Sequence, residues 1–131
     1  MPTKPTDPPR PTDAELEILT VLWSRGASTV RDVHEVIATR RPAQYTTVLK
    51  VLQVMAGKGL VQRDEKRRAH VYRASRPAAW TQQQLAGDLI RRAFDGSAKN
   101  LILGVLSARK TSSREWEEIR KMLSEHKEGK Q

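Results

Sequence analysis

Thr46, Lys50, Gln53 and Gly57 recur at intervals of three and four within QYTTVLKVLQVMAGKG, residues 44–59. On a 3.6-residue helix they form one row that is polar or bare and carries no acid. Hydroxyl, carboxamide and ammonium groups on such a row can donate to phosphates and base edges, the chemistry of a helix in a DNA major groove. Tyr45, Val48, Val51, Leu52 and Met55 take the other side and are expected to pack inward. Gly59 supplies the left-handed residue that stops a helix, with Lys58 in its last turn. The stretch therefore reads as a DNA recognition helix.

The remaining inventory offers no competing chemistry. The histidines, His34, His70 and His126, are scattered along the chain. His34-Glu35 opens a frame like that of a zinc protease helix, but the fifth position is Ala38, so the second ligand is missing. There is no phosphate loop, nucleophile elbow or Gly-x-Gly fingerprint. We expect no catalytic residue, no metal and no cofactor, and a protein that is not an enzyme. His34 reads as an exposed helix residue, and His70 as a hairpin residue facing phosphate or solvent. Cysteine is absent, which removes disulfides and thiolate metal sites and fits a reducing cytoplasm. Lysine and arginine number 24 against 15 acids, a formal charge of +9 that favours nucleic acid or an anionic membrane face. No apolar run approaches the roughly 18 residues of a membrane span, and the N-terminus lacks the apolar stretch of a signal peptide. Aromatics are too few for a single-strand stacking platform. A cytoplasmic partner of double-stranded DNA with no membrane insertion is the expectation.

The elements that must hold the recognition stretch can be read in turn. Residues 1–11 carry Pro2, Pro5, Pro8, Pro9 and Pro11 and almost nothing apolar, which predicts a disordered tail. Thr12 and Glu15 form a capping box, and Leu16, Leu19, Val21, Leu22 and Trp23 then recur at helical spacing until Gly26. Thr29 and Asp32 repeat that start signal before a short helix with Val30, Val33, Val36 and Ile37 inward. Two helices, a tight connection and a third helix with a polar outer face make a helix-turn-helix. Residues 60–64 and 69–73 lean towards strand and flank Glu65-Lys66-Arg67-Arg68, which reads as a hairpin. Between Gln62 and Arg76 lie six basic side chains (Arg63, Lys66, Arg67, Arg68, Arg73, Arg76) against two acids, the charge of a wing lying on a sugar-phosphate backbone. Residues 12–76 are thus expected to form a winged helix-turn-helix domain.

From Pro77 the pattern is purely helical, and residues 77–128 are expected to form a second, dimerising domain. One stripe carries Trp80, Leu85, Leu89, Ala93 and Phe94 until Asp95-Gly96 breaks it. Ser97 can cap the next helix, where Leu101, Ile102, Leu103, Val105 and Leu106 are apolar nearly all round. Ser112 and Glu115 open a last helix with Trp116, Ile119, Met122 and Leu123 on one side. So much apolar surface on so few residues cannot cover itself, which argues for a homodimer. The fold class expected is mainly α with a small β-hairpin wing. A winged-helix protein-interaction module, or a non-specific architectural DNA binder, stands as the alternative.

The runs from Asp13 to Ile37 and from Tyr45 to Ser75 resemble the penicillinase-repressor (BlaI/MecI/CopY) family. Tyr-Thr-Thr-Val-Leu, then Gly-Leu-Val and a basic Ala-x-Val-Tyr strand, carry the similarity, which runs from about Asp13 to Leu123. It implies a repressor that covers a short promoter palindrome as a dimer. It places groove contacts on Gln44, Thr46, Thr47, Leu49 and Lys50, wing contacts on Arg67 and Arg68, and phosphate contacts on Ser28 and Thr29. Val54 stands where many relatives have arginine, and Leu49 where some are polar, so its methyls would meet a thymine methyl instead. Relatives are released when a membrane sensor protease triggers cleavage near the second C-terminal helix. Here Asn100-Leu101 is the nearest echo of the expected bond, displaced by a few residues, and proteolytic switching is left open. The copper-responsive branch needs cysteine pairs that this chain lacks.

Overall fold

The computed structural model describes residues 10–108 and 110–129. The expected proline-rich tail, apart from residues 10 and 11, lies outside them. The starts of the first two helices follow from local hydrogen-bond devices. Thr12 precedes α1 (Asp13–Arg25), its Oγ1 accepting from the Glu15 N–H at 3.2 Å while the Thr12 N–H donates to Glu15 Oε1 at 2.9 Å. Thr29 and Asp32 repeat the exchange at 3.1 Å each way before α2 (Val30–Ala38). Gly26, at φ 91°, ends α1, and Gly59, at φ 83°, ends α3 (Tyr45–Lys58). An L side chain is disfavoured at both.

Two strands, β2 (Val61–Asp64) and β3 (Val71–Ala74), form the expected hairpin, antiparallel with Gln62 opposite Arg73 and Arg63 opposite Tyr72. A third strand was not legible in the sequence. Ser28 and Thr29 form β1, which pairs with the other edge of β3, so the sheet order is β1-β3-β2. Two residues are too short to show a period of two. Their effect is large, because the residues that start α2 are hydrogen-bonded to the wing. Tyr72, at the centre of this sheet, is fully buried with Val21, Val33, Ile37, Leu52 and Met55 from the three helices.

The chain divides into two compact units, Met1–Ala86 and Gly87–Gln131. The division falls inside α4 (Ala78–Ala93) rather than at Pro77. Within the first unit, Trp23 Nε1 donates to the Arg76 carbonyl at 2.9 Å, the Arg76 guanidinium lies 4.4 Å from the centre of the Trp80 ring, and Thr81 is buried. Those contacts bind the start of α4 to α1. The second unit holds the end of α4, then α5 (Ala98–Ala108) and α6 (Ser113–Gly129). Asp95 and Gly96, both at positive φ, make the break after α4, and Ser97 and Ser112 cap the next two helices through the Asn100 and Glu115 N–H groups. Among the described residues six helices and one small sheet make a mainly helical fold of the class expected.

Candidate nucleic-acid interface

The face of α3 turned away from the core carries Thr46, Thr47, Lys50, Gln53, Val54 and Gly57, all exposed, with Gln44 exposed at its cap position. Val48, Leu52 and Met55 are buried on the opposite side, so helical periodicity places the polar row outward as expected. Leu49 is half-buried on the flank towards the wing. Tyr45 departs from the expectation, being 45% exposed instead of packed inward. It sits at the edge of the buried stripe on the first residue of the helix, and its ring meets the edge of His34 at 5.9 Å between centroids.

His34 is likewise no free surface residue. It is half-buried, and its Nε2 lies 2.8 Å from the Ala43 carbonyl, across the turn that joins α2 to α3. Arg41 in the same turn donates to both carboxylate oxygens of Glu17 on α1, at 2.6 and 3.3 Å. Those hydrogen bonds hold the Glu17 carboxyl below its ordinary value and raise Arg41. At the far end of α3, Lys58 Nζ meets Glu15 Oε2 at 2.8 Å. Side chains at the helix start, the turn and the helix end thus fix the axis of α3 against α1 and α2. Apolar periodicity carried no sign of these contacts, since each joins a polar side chain to a polar group nine or more positions away.

The wing offers less free charge than its composition suggests. Arg63 is paired with Glu65 at 2.6 Å, Arg73 donates to Gln62 across the hairpin, and Arg76 is stacked on Trp80. Lys66, Arg67 and Arg68 remain, exposed in the connector and with no side-chain partner among the described residues. Between wing and helix runs a groove of about 550 Å³, with Tyr45, Leu49 and Gln53 on one wall and Arg63, Arg68 and His70 on the other. Four acids nearby are paired with cations, Glu15 with Lys58, Glu17 with Arg41, Asp32 with Arg25 and Glu65 with Arg63, while Asp64 accepts from the Lys66 N–H. An acid-free helix face beside an unpaired basic tip suits a polyanion.

Ser28 and Thr29 are placed differently from the groove residues. Ser28 is 1% exposed and its hydroxyl donates to the Gly26 carbonyl at 2.8 Å, because β1 lays it against Tyr72. That hydroxyl has no path to a phosphate. The Thr29 hydroxyl and N–H are both engaged with Asp32.

In the second unit no described residue is buried. Leu89, Ile102, Leu103, Val105, Leu106, Met122 and Leu123 are exposed in the single chain. Ile90, Phe94, Leu101, Trp116 and Ile119 are half-buried, as is Leu85 at the end of the first unit. The Phe94 ring lies against Gly104, where a Cβ would meet Cε1 at 3.4 Å. Asn100-Leu101 lies in the first turn of α5, with the Asn100 N–H bound to Ser97 Oγ at 3.1 Å. No helix among the described residues is long and apolar enough to cross a membrane.

The family model described as Penicillinase repressor matches residues 11–125. The Transcriptional regulator BlaI of Mycobacterium tuberculosis is 35% identical over 121 residues, covering 89% of this chain and 85% of that protein. The Penicillinase repressor of Bacillus licheniformis is 23% identical over 122 residues, covering 93% of this chain and 95% of its own.

Proposed function

The chain belongs to the penicillinase repressor family, and we propose that it represses transcription as a homodimer bound to a palindromic operator. One observation carries this: an acid-free row of Thr46, Lys50 and Gln53 stands exposed on a helix whose axis is fixed, beside the unpaired Arg67 and Arg68. Gln44, Thr46, Thr47, Lys50 and Gln53 would read base edges, Leu49 would meet a thymine methyl, and the connector cations would lie on phosphates. Ser28 is left out, and Thr29 serves as a cap.

The apolar surface of the second unit supports pairing. A single subunit would leave Ile102, Val105 and Leu106 in water, and a second copy would cover them. Two linked recognition helices raise the effective concentration of the second at its half-site, so a short palindrome suffices. An operator so covered is closed to transcription, and no chemistry is required of the protein. Proteolytic release, as in the sensing of β-lactams by a membrane protease, would need the first turn of α5 to unwind if the bond cut were Asn100-Leu101, because a protease binds extended backbone.

Selection of bound duplexes from a random pool, followed by footprinting, tests the proposal. A single palindromic consensus is expected. Binding without any consensus would favour a non-specific architectural protein. No binding to duplex DNA at moderate salt would favour a protein-interaction module.

A further inference from the structure

The row Thr46, Lys50, Gln53, Gly57 ends on a residue with no side chain, and nothing inside the fold accounts for it. Gly57 is helical, its φ is not positive, and a Cβ built there meets no atom within 4 Å. Glycine is the poorest helix former after proline, so at a site where alanine would fit the fold gives up stability. The neighbouring residues extend the bareness. Lys58 is drawn back onto Glu15, and Gly59 follows at φ 83°. The last turn of α3 thus offers backbone alone on the face that carries Lys50 about two turns earlier.

Dimensions give that bareness a use. From Thr46 to Gly57 the row runs about 16 Å at 1.5 Å per residue. The major groove is about 12 Å wide. A helix that enters the groove N-terminus first, with its axis across the groove, therefore brings its last turn against one sugar-phosphate wall. We propose that the Gly57–Gly59 turn is a passage over which one DNA strand crosses α3 in van der Waals contact, with Gly57 at the closest approach. Two of the last-turn carbonyls, those of Met55 and Ala56, are taken up by the Leu60 and Gly59 N–H groups, which lessens their repulsion of that strand. This rests on the DNA-binding function proposed above.

Gly57→Ala and Gly57→Lys, compared with the parent full-length chain on one duplex obtained by selection, test it. Gly57→Ala should melt about 3–6 °C higher, because the helix gains and nothing clashes. It should bind the duplex about tenfold more weakly, from overpacking against the strand. Gly57→Lys should bind more weakly still, despite its added charge. Unchanged binding by Gly57→Ala, or tighter binding by Gly57→Lys, would overturn the passage while leaving the repressor function standing. A lower melting temperature for Gly57→Ala would also overturn it, by showing that the glycine serves the fold. Failure of the parent chain itself to bind any duplex would remove the DNA-binding function, and the passage with it.

Discussion

Lys58 Nζ lies 2.8 Å from Glu15 Oε2, tying the last turn of α3 to the first turn of α1 across 43 positions of sequence. Glu15 is almost wholly buried, whereas Lys58 keeps a third of its side chain in water. The pair is therefore asymmetric. Lys58→Met leaves a buried carboxylate held by Thr12 alone and should cost about 1–3 kcal/mol. Glu15→Gln frees a lysine that can turn to solvent, keeps an acceptor for Thr12, and should cost less. Urea titrations of the two variants check the order, and a larger loss for Glu15→Gln would contradict it.

The same carboxylates set the acid limb of stability. Burial pushes the Glu15 carboxyl up, but the hydrogen bonds from Lys58 and Thr12 more than offset this, and it titrates below its ordinary 4.5. Glu17 is lowered by Arg41, and Asp32 by its exchange with Thr29. A carboxyl with a depressed folded pKa contributes stability that is complete above its unfolded pKa and is lost as pH falls through the folded one. The urea midpoint should therefore hold between about pH 7 and 5 and decline below about 4.5. Glu15→Gln should make that decline shallower. A midpoint that already falls between pH 7 and 5 would show that other groups control it.

What the sequence disclosed and what it hid divide along physical lines. Capping boxes at Thr12 and Thr29, the stop at Gly59 and the outward row on α3 depend on neighbours within a turn, so local spacing reveals them. The pairing of Ser28 and Thr29 with β3, the His34–Ala43 contact and the Lys58–Glu15 pair depend on where distant segments come to lie. Ser28 shows the same division: the family resemblance placed a phosphate contact on it, yet sheet pairing turns its hydroxyl inward onto the Gly26 carbonyl. Counting cations overstated the wing because Arg63 is taken up by Glu65 two residues on, Arg73 by Gln62 across the hairpin and Arg76 by Trp80 on α4.

Lys50 stands at the centre of the exposed row with no acid on its helix. Lys50→Ala should cost roughly 1–3 kcal/mol on a selected duplex and clearly less on a scrambled one, as expected of a side chain that reaches a base. Equal losses on both duplexes in fluorescence anisotropy would assign Lys50 to the phosphate backbone.

Arg67 and Arg68 have no side-chain partner among the described residues, so replacing both with alanine should leave thermal stability unchanged. Affinity should fall on any sequence, and the slope of log K against log salt should flatten by roughly 0.9 for each phosphate contact removed. Paired titrations at several salt concentrations measure this. An unaltered slope would take the connector off the DNA.

Val105 and Leu106 bear on subunit pairing. They are 40% and 52% exposed in the single chain, so an aspartate at either stays hydrated in a lone subunit and should not unfold it. Within a paired interface the same carboxylate would be buried without a partner, at a cost of about 3–5 kcal/mol. Val105→Asp should therefore sediment as a monomer with its helical circular dichroism intact. Its affinity for a full palindrome should drop towards that for a half-site, because the two recognition helices are no longer linked. Leu101 is half-buried within its own unit and makes a poorer probe, since loss of pairing there could reflect a damaged subunit. A Val105→Asp chain that remains dimeric would move the interface off this face of α5, and Leu89 or Leu123 would be the next positions to carry the charge.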